Sequence, residues 1–554
     1  MKFFYRIFPA VLLMLFAVQC DEIVSTDLLD DPTAVSPEEV NPDYLLNNIQ
    51  NSARAMHRSA KNNAGEMTRM LYMFGRTYED AFVPESFNSV YQTAYSSLFI
   101  DVRNLLPVAE ERGMYFHKGM AKTLQAYGML TMVDVFGDVP WDEALEDGIL
   151  EPELSNDEDV YQEALDLLDE AIGDLTNEDR TAFPQNDLYY GGHGEQVEAW
   201  VRAANTMKLR AYLNMGDTGA INNLIADGDL ILEPEDNFAF QYSTHDTDPD
   251  SRHPWFSSYY VGSLTGFYAS VNYMNMLLNH KEDEDPRIRY YFYRQVNEDP
   301  TDPNELTCDP DTEPSHFQDG DPWCLLGDGY WGRNHLIDEG IPPNTDLRTG
   351  PGIYPAGGEF DANQADASAD RNVPTSSDMG YRGAGIEPIL MSSYTHFMIA
   401  EASNMYGTDL ILGSEWEHLE EAVRQSINTV VNFGADRVEE LGAEAFAPDQ
   451  DDIDDYVDEV QQNYNDDPLR TIATEYYLAL WPNGLESYNA MRRMHYPDRD
   501  DNLQPARTSD PGQWYHSFSY PSVLIDRNAN VGPKPGRDIG PFWYTPDDPA
   551  KYNF

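Results

Sequence analysis

Residues 115–145 read YFHKGMAKTLQAYGMLTMVDVFGDVPWDEAL, and no other stretch limits the fold as much. Met120, Leu124, Tyr127 and Met132 recur at the spacing of one helix face, with small Ala121, Ala126 and Gly128 between them. A helix with so wide an apolar stripe is buried on most sides, and its small residues let neighbouring helices approach closely. The pattern stops at Phe136-Gly137-Asp138-Val139-Pro140-Trp141. Gly137 can take the left-handed conformation that ends a helix, and Pro140 cannot continue one. The expectation is a central helix in an all-α stack, ending in a rigid turn that presents Trp141.

Further helices flank it. Ser36-Pro37-Glu38-Glu39 reads as an N-cap, a proline at the first helical position and first-turn acids. Residues 65–82 and 88–112 read as two more. Asp157 to Leu175 carries Val160, Ala164, Leu167, Leu168, Ala171, Ile172 and Leu175 on one stripe, and Gln196 to Met215 aligns Val197, Trp200, Val201, Ala204, Ala211 and Tyr212. Two amphipathic helices joined by a loop make a hairpin, and stacked hairpins give a tetratricopeptide-like solenoid. No 34-residue self-similarity is visible, so the pairs are helical without being a sequence repeat. From about residue 246 to 387 Pro, Gly, Asp and aromatics alternate with few helical stripes apart from Phe267 to Leu278. So long a loop region is more often functional than disordered, and it reads as an elaboration projecting from the core. Helices return over 389–406, 415–433, 453–464 and 469–494.

Several of these segments resemble the SusD/RagB family in that family's order. They are AKTLQAYGMLTMVDVFGDVPW, the early helix FNSVYQTAYSSLFIDVRNLL, YYGGHGEQVEAWVRAANTMKLRAYLNMG, ILMSSYTHFMIAEASNMY, TEYYLALWPNGLESYNAMRRMHYP and the tail RDIGPFWYTPDD. The resemblance implies an all-α fold with a tetratricopeptide-like helical-hairpin solenoid core and a large loop-rich elaboration. The helical core would span about 36–245 and 388–496, with C-terminal loops over 497–554. It also implies a surface lipoprotein that binds a glycan and delivers it to a SusC-like TonB-dependent outer-membrane transporter.

The N-terminus fits that expectation. Lys2 and Arg6 precede an apolar run from Ile7 to Val18, too short for a membrane span of about 20 residues and typical of a secretory signal. It ends at Cys20, resembling a lipoprotein signal (residues 1–19) with lipid on that thiol. Asp21-Glu22 resembles the acidic export tag of such lipoproteins, and residues 20–35 read as a tether. Cys308 and Cys324 remain. In a secreted chain they most simply form a disulfide, worth about 3 kcal/mol by the chain-entropy estimate.

Charge narrows the partners. Asp and Glu number 97 against 35 Lys and Arg, a net charge of −62, and only eight of the bases are Lys. Phosphate binding needs clustered bases, so nucleic acid and anionic lipid are excluded as partners. A Lys-poor acidic surface suits concentrated salt, which screens self-repulsion to within a few Å, and implies a halophilic or marine extracellular setting.

No P-loop, dinucleotide fingerprint, HExxH, CxxC pair or GxSxG elbow occurs. Carboxylate pairs for glycoside hydrolysis are expected by chance among so many acids, so an all-α extracellular hydrolase is the weaker reading, behind the same family binding peptide. No cofactor is implied. Asp309, Asp311, Asp319 and Asp321 could supply hard oxygens to a structural Ca²⁺, although the spacing lacks the EF-hand's glycine and terminal glutamate. What remains is recognition: sugars stack their CH faces on aromatic rings while polar groups take the hydroxyls. The sequence points first to Tyr330, Trp331, Arg333 and Asn334, then to Trp323, Trp255 and Tyr259. The family resemblance adds the loop around Phe82.

Overall fold

The structure is a computed structural model that describes residues 41–191, 195–261, 267–295, 313–323, 326–327, 329–338, 348–362, 376–408 and 413–554. Asp43–Phe554 form one compact unit. Its longer helices are α1 (Pro42–Met67), α2 (Ile100–Glu111), α3 (Tyr115–Phe136), α4 (Asp157–Leu175), α5 (Gln196–Met215), α6 (Thr218–Asp227), α7 (Val271–Asn279), α8 (Ser392–Tyr406), α9 (Glu415–Leu441), α10 (Gln450–Asp466), α11 (Pro468–Ala479) and α12 (Gly484–Met494). Strands are few and short. β1 (Phe238–Gln241) pairs antiparallel with β4 (Ile386–Leu390), and β2 (Phe292–Tyr293) with β3 (Gly350–Pro351). The fold is all-α, a stack of helical hairpins.

The central helix α3 is buried along nearly its whole length. Its glycines explain how. A Cβ on Gly119 would come within 2.5 Å of Leu175 on α4, and one on Gly128 within 2.8 Å of Leu98 and Phe99. Gly137 ends the helix at φ +70°, a conformation costly for any residue with a Cβ. Trp141 then lies half-buried with its ring edge-on to Phe99 at 5.2 Å. α4 starts where Asn156 accepts hydrogen bonds from the Glu158 and Asp159 amides, the usual N-cap chemistry.

The polar residues of the family-like segments meet in the interior. Arg493 on α12 chelates Glu401 on α8 at 2.6 and 2.9 Å, reaches Glu486 at 2.9 Å and donates to Asn214 on α5 at 2.7 Å. Asp134 on α3 accepts from Tyr161, Asn214 and Asn489 at 3.1, 3.2 and 3.0 Å, with Arg210 at 3.4 Å. Arg492 donates to the Asp134 carbonyl at 2.9 Å. All of these side chains are buried. The network ties α3, α4, α5, α8 and α12 together, so these segments owe their pattern to architecture and not to a ligand.

Several boundaries differ from expectation. The stretch 65–82 is not a helix: α1 stops at Met67, Arg69 takes φ +63°, and a loop runs on past a single turn at Tyr78–Ala81. The helix over 88–112 forms, but residues Ala94–Phe99 within it are wound as a π-helix. Ile389 and Leu390 belong to β4, where Pro388 stands opposite Ala239, so α8 starts only at Ser392. The pattern over 469–494 is two helices, broken at Trp481-Pro482, because proline lacks the amide the helix needs. Ser36, Cys20, Cys308 and Cys324 lie outside the described residues.

The elaboration over 246–387 is bonded to the core more closely than a projection would be. Trp481, fully buried, is ringed by Tyr273 (5.0 Å), Phe292 (4.9 Å), Trp255 (5.5 Å) and Tyr291 (5.9 Å), all from that region. Aromatic pairs at such separations contribute beyond their buried area.

Candidate functional site

Where the elaboration meets the loop after α1, a cleft of ≈ 230 Å³ opens between Asn62, Glu66, Tyr72, Phe74, Trp255 and Tyr268, with Leu71 and Phe267 also on its walls. The main chain builds it. Leu71 forms a β-bridge with Ala269, and Ser270 with Arg333, which sets the loop after α1 beside Phe267 and Tyr268. Phe74 stands at the rim, 60% exposed. An aromatic ring so far into water has no packing explanation. Tyr72 meets Tyr268 edge-on at 5.7 Å and is anchored by a hydrogen bond from its hydroxyl to the Ile337 carbonyl at 2.6 Å.

Trp255 forms the floor. Its amide donates to His253 Nδ1 at 3.2 Å, its ring meets Phe267 at 5.0 Å, and the Lys61 ammonium lies over it at 5.1 Å. Lys61 is itself ion-paired with Glu387, both buried, and Tyr242 donates to the same carboxylate at 3.0 Å. Burial alone would raise the Glu387 carboxyl; Lys61, His57 and His253 outweigh it and hold it at about 2. The floor is thus held from below by a buried ion pair and its hydrogen bonds.

Glu66 is different. Burial pushes its carboxyl up to about 8, so at neutral pH it carries a proton and can donate a hydrogen bond into the cleft. Because the folded pKa lies above the unfolded 4.5, the folded state holds the extra proton and stability falls as pH rises from about 4.5 to about 8. Glu66→Gln, neutral at every pH, is expected to gain stability over the parent across that window. The gain should level off above it at no more than about 5 kcal/mol, as read from urea midpoints at pH 4.5, 6.5 and 8.5.

The residues singled out in the sequence divide. Trp255 lines the cleft, 9% exposed, and the Arg333 guanidinium sits over the Tyr268 ring at 4.7 Å. The others do not present a face. Tyr330 and Trp331 are buried, Tyr330 beneath the Arg294 guanidinium at 4.6 Å, and the Trp331 amide donates to Thr349 Oγ1 at 2.8 Å. The cause is Gly332. A Cβ there would lie 2.3 Å from the Ala269 carbonyl, so the segment is pinned against residue 269 with its rings turned inward. Asn334 accepts from Gln504 at 2.8 Å inside the protein. Tyr259 is buried and donates to the Arg348 carbonyl at 2.6 Å. Phe82 packs on Phe87 and Tyr515. Trp323, half-buried, meets Phe317 edge-on at 5.4 Å. Asp321 pairs with Arg499 at 2.6 Å and Asp319 is exposed. Asp309 and Asp311 lie outside the described residues.

Tyr72, Phe74 and Glu66 escaped the sequence reading because a helix over 65–82 would have buried part of them, and Tyr268 because it falls in the helical stripe from Phe267 to Leu278. The FGRT run at 74–77, with a glycine at φ +152°, is the signal that could have found the loop.

The surroundings of this cleft belong to a known fold. The family model described as "Starch-binding associating with outer membrane" (SusD-like) matches residues 33–306. A SusD/RagB family protein from Bacteroides thetaiotaomicron superposes with a TM-score of 0.64 at 17% identity, covering 89% of this chain and 95% of that one. A chitin-binding SusD homolog from Flavobacterium johnsoniae gives 0.58 at 17% identity, over 90% and 97%. A SusD homolog from Bacteroides uniformis gives 0.58 at 18%, over 91% and 99%. No curated protein sequence matches the chain. With the solenoid, the buried network under the family-like segments and these likenesses together, the chain belongs to the SusD/RagB family.

Proposed function

We propose that the protein captures a glycan in the cleft between Phe74, Tyr72 and Tyr268 and hands it to a SusC-like TonB-dependent outer-membrane transporter, held at the outer face by lipid on Cys20. The observation that carries the capture is Phe74, a ring 60% in water beside two tyrosines and above a tryptophan floor. Sugars bury their CH faces on such rings, and Asn62 and the protonated Glu66 are placed to meet hydroxyls. The shape is open and aromatic, which suits a polymer passing through more than a peptide enclosed. Two structures of the same fold are described as chitin-binding, which supports a glycan and leaves its identity to experiment. The reading is binding without turnover. A Ca²⁺ at Asp309, Asp311, Asp319 and Asp321 is a separate proposal, checked by calcium titration.

Affinity electrophoresis of residues 21–554 against chitin, starch, plant and marine polysaccharides, in high salt, tests it. One glycan is expected to retard the protein without new reducing ends. Phe74→Ala is expected to weaken that binding about tenfold or more, the usual cost of losing a central aromatic contact, without changing the urea midpoint. New reducing ends would move the protein to an enzyme class, and retardation untouched by Phe74→Ala would place the site elsewhere.

A further inference from the structure

Arg348 is 3% exposed, and none of its three guanidinium nitrogens makes a well-aligned hydrogen bond, although the Tyr268 side chain lies close enough to interact with it. No described carboxylate forms an ion pair with it. Its guanidinium lies over the Tyr268 ring at 4.1 Å and over Tyr259 at 5.6 Å, and Arg333 shares the Tyr268 ring. Its position is enforced: the Arg348 carbonyl accepts from Tyr259 and Gln295, and a Cβ on Gly350 would strike the Tyr259 ring at 2.3 Å.

Other buried arginines are answered. Arg210 and Arg493 meet carboxylates, Arg287 meets Asp285, Arg294 meets Asp361, Arg252 meets Asp250, and Arg69 donates to the Gln504 and Phe554 carbonyls. Among the described residues, no acid of this strongly acidic chain is ion-paired with Arg348. Leaving a buried charge unpaired is costly, and ring faces offset only part of that. A guanidinium fork is shaped for two oxygens of one anion.

We propose that Arg348 is the cation of an anion site on the Tyr268 side of the cleft. Its occupant is an anionic oxygen group, a carboxylate or sulfate ester. That group is carried by the glycan, in which case the inference rests on the proposed function, or it arrives as a free small anion. Burial and the neighbouring Arg333 make Arg348 hold its proton less tightly than usual, which an anion would reverse. The net charge of −62 opposes an acidic glycan only at long range, and salt shortens that range to about 10 Å at 0.1 M.

The test is calorimetric titration of residues 21–554 with an oligogalacturonate, its carboxyl-reduced neutral counterpart and inorganic sulfate. It compares the parent, Arg348→Met, Arg348→Lys and Phe74→Ala. The acidic oligosaccharide is expected to bind the parent at least tenfold more tightly than the reduced one. Arg348→Met should lose that preference and Arg348→Lys should keep part of it. Sulfate that raises the melting temperature of the parent and not of Arg348→Met, with no preference between the two sugars, supports the site and assigns it to a free anion. Arg348→Met that responds to all three probes as the parent does overturns the inference, while Phe74-dependent binding of the neutral sugar would still uphold glycan capture. Sulfate stabilisation through Arg348 with no sugar bound at all would keep the anion site and remove glycan capture. Should Arg348→Met fail to fold, Arg348→Lys with an unchanged preference and an unchanged sulfate response also overturns it.

Discussion

Arg493→Met is expected to destabilise the protein by about 3–5 kcal/mol, the cost of removing one partner from a buried ion pair. Arg493 is buried and chelates Glu401 while touching Glu486. Methionine fills a similar volume but leaves two carboxylates facing each other with only Arg210, 3.9 Å from Glu486, to answer them. Burial already raises the Glu486 carboxyl in the parent, and losing Arg493 raises it further. A carboxyl whose folded pKa exceeds its unfolded one costs stability as pH rises. The deficit should therefore be small near pH 4.5 and grow toward neutrality. Urea is the denaturant to use, since guanidinium would also screen the acidic surface. A deficit under about 1 kcal/mol at pH 7.5, or one independent of pH, would show that the network does not hold these helices together.

The second large effect is expected at Trp481. Truncating it to alanine opens a cavity at the meeting point of Tyr273, Phe292, Trp255 and Tyr291, for which about 3–5 kcal/mol is the usual cost. The indole nitrogen has no hydrogen-bond partner, so Trp481→Phe should lose much less, mostly volume. Trp255 is also the cleft floor. Trp481→Ala should therefore weaken glycan binding at temperatures where the chain is still folded, whereas Arg493→Met, which lines no part of the cleft, should not. Equal binding losses in the two variants would mean that general unfolding, and not the floor, is being read.

How far the sequence reached depends on the range of the interactions involved. The helix pair at 157–175 and 196–215 was legible to the residue, because periodicity, the Asn156 cap and the glycine at 216 are all local. The buried aspartate, arginines and glutamates of α3, α5, α8 and α12 could be seen as a family-like pattern, but their pairing joins residues hundreds of positions apart.

The site was legible only as a region. Loop aromatics around 255 and 330 look alike in a sequence: a Trp beside a Gly and an Arg serves a core as well as a surface. Gly332 decided that Tyr330 and Trp331 turn inward, since only there can the chain lie against Ala269. The end of α1 at Met67 decided that Phe74 reaches water. Arg348 could be recognised only by the absence of an ion-pair partner among the described residues, and no sequence states that. The sequence by itself determined the all-α class, the helical pairs and the acidic surface, because each follows from local periodicity or composition. Which ring meets water, which charge is paired and which is not were decided by long-range packing, where burial sets the energy of every polar group.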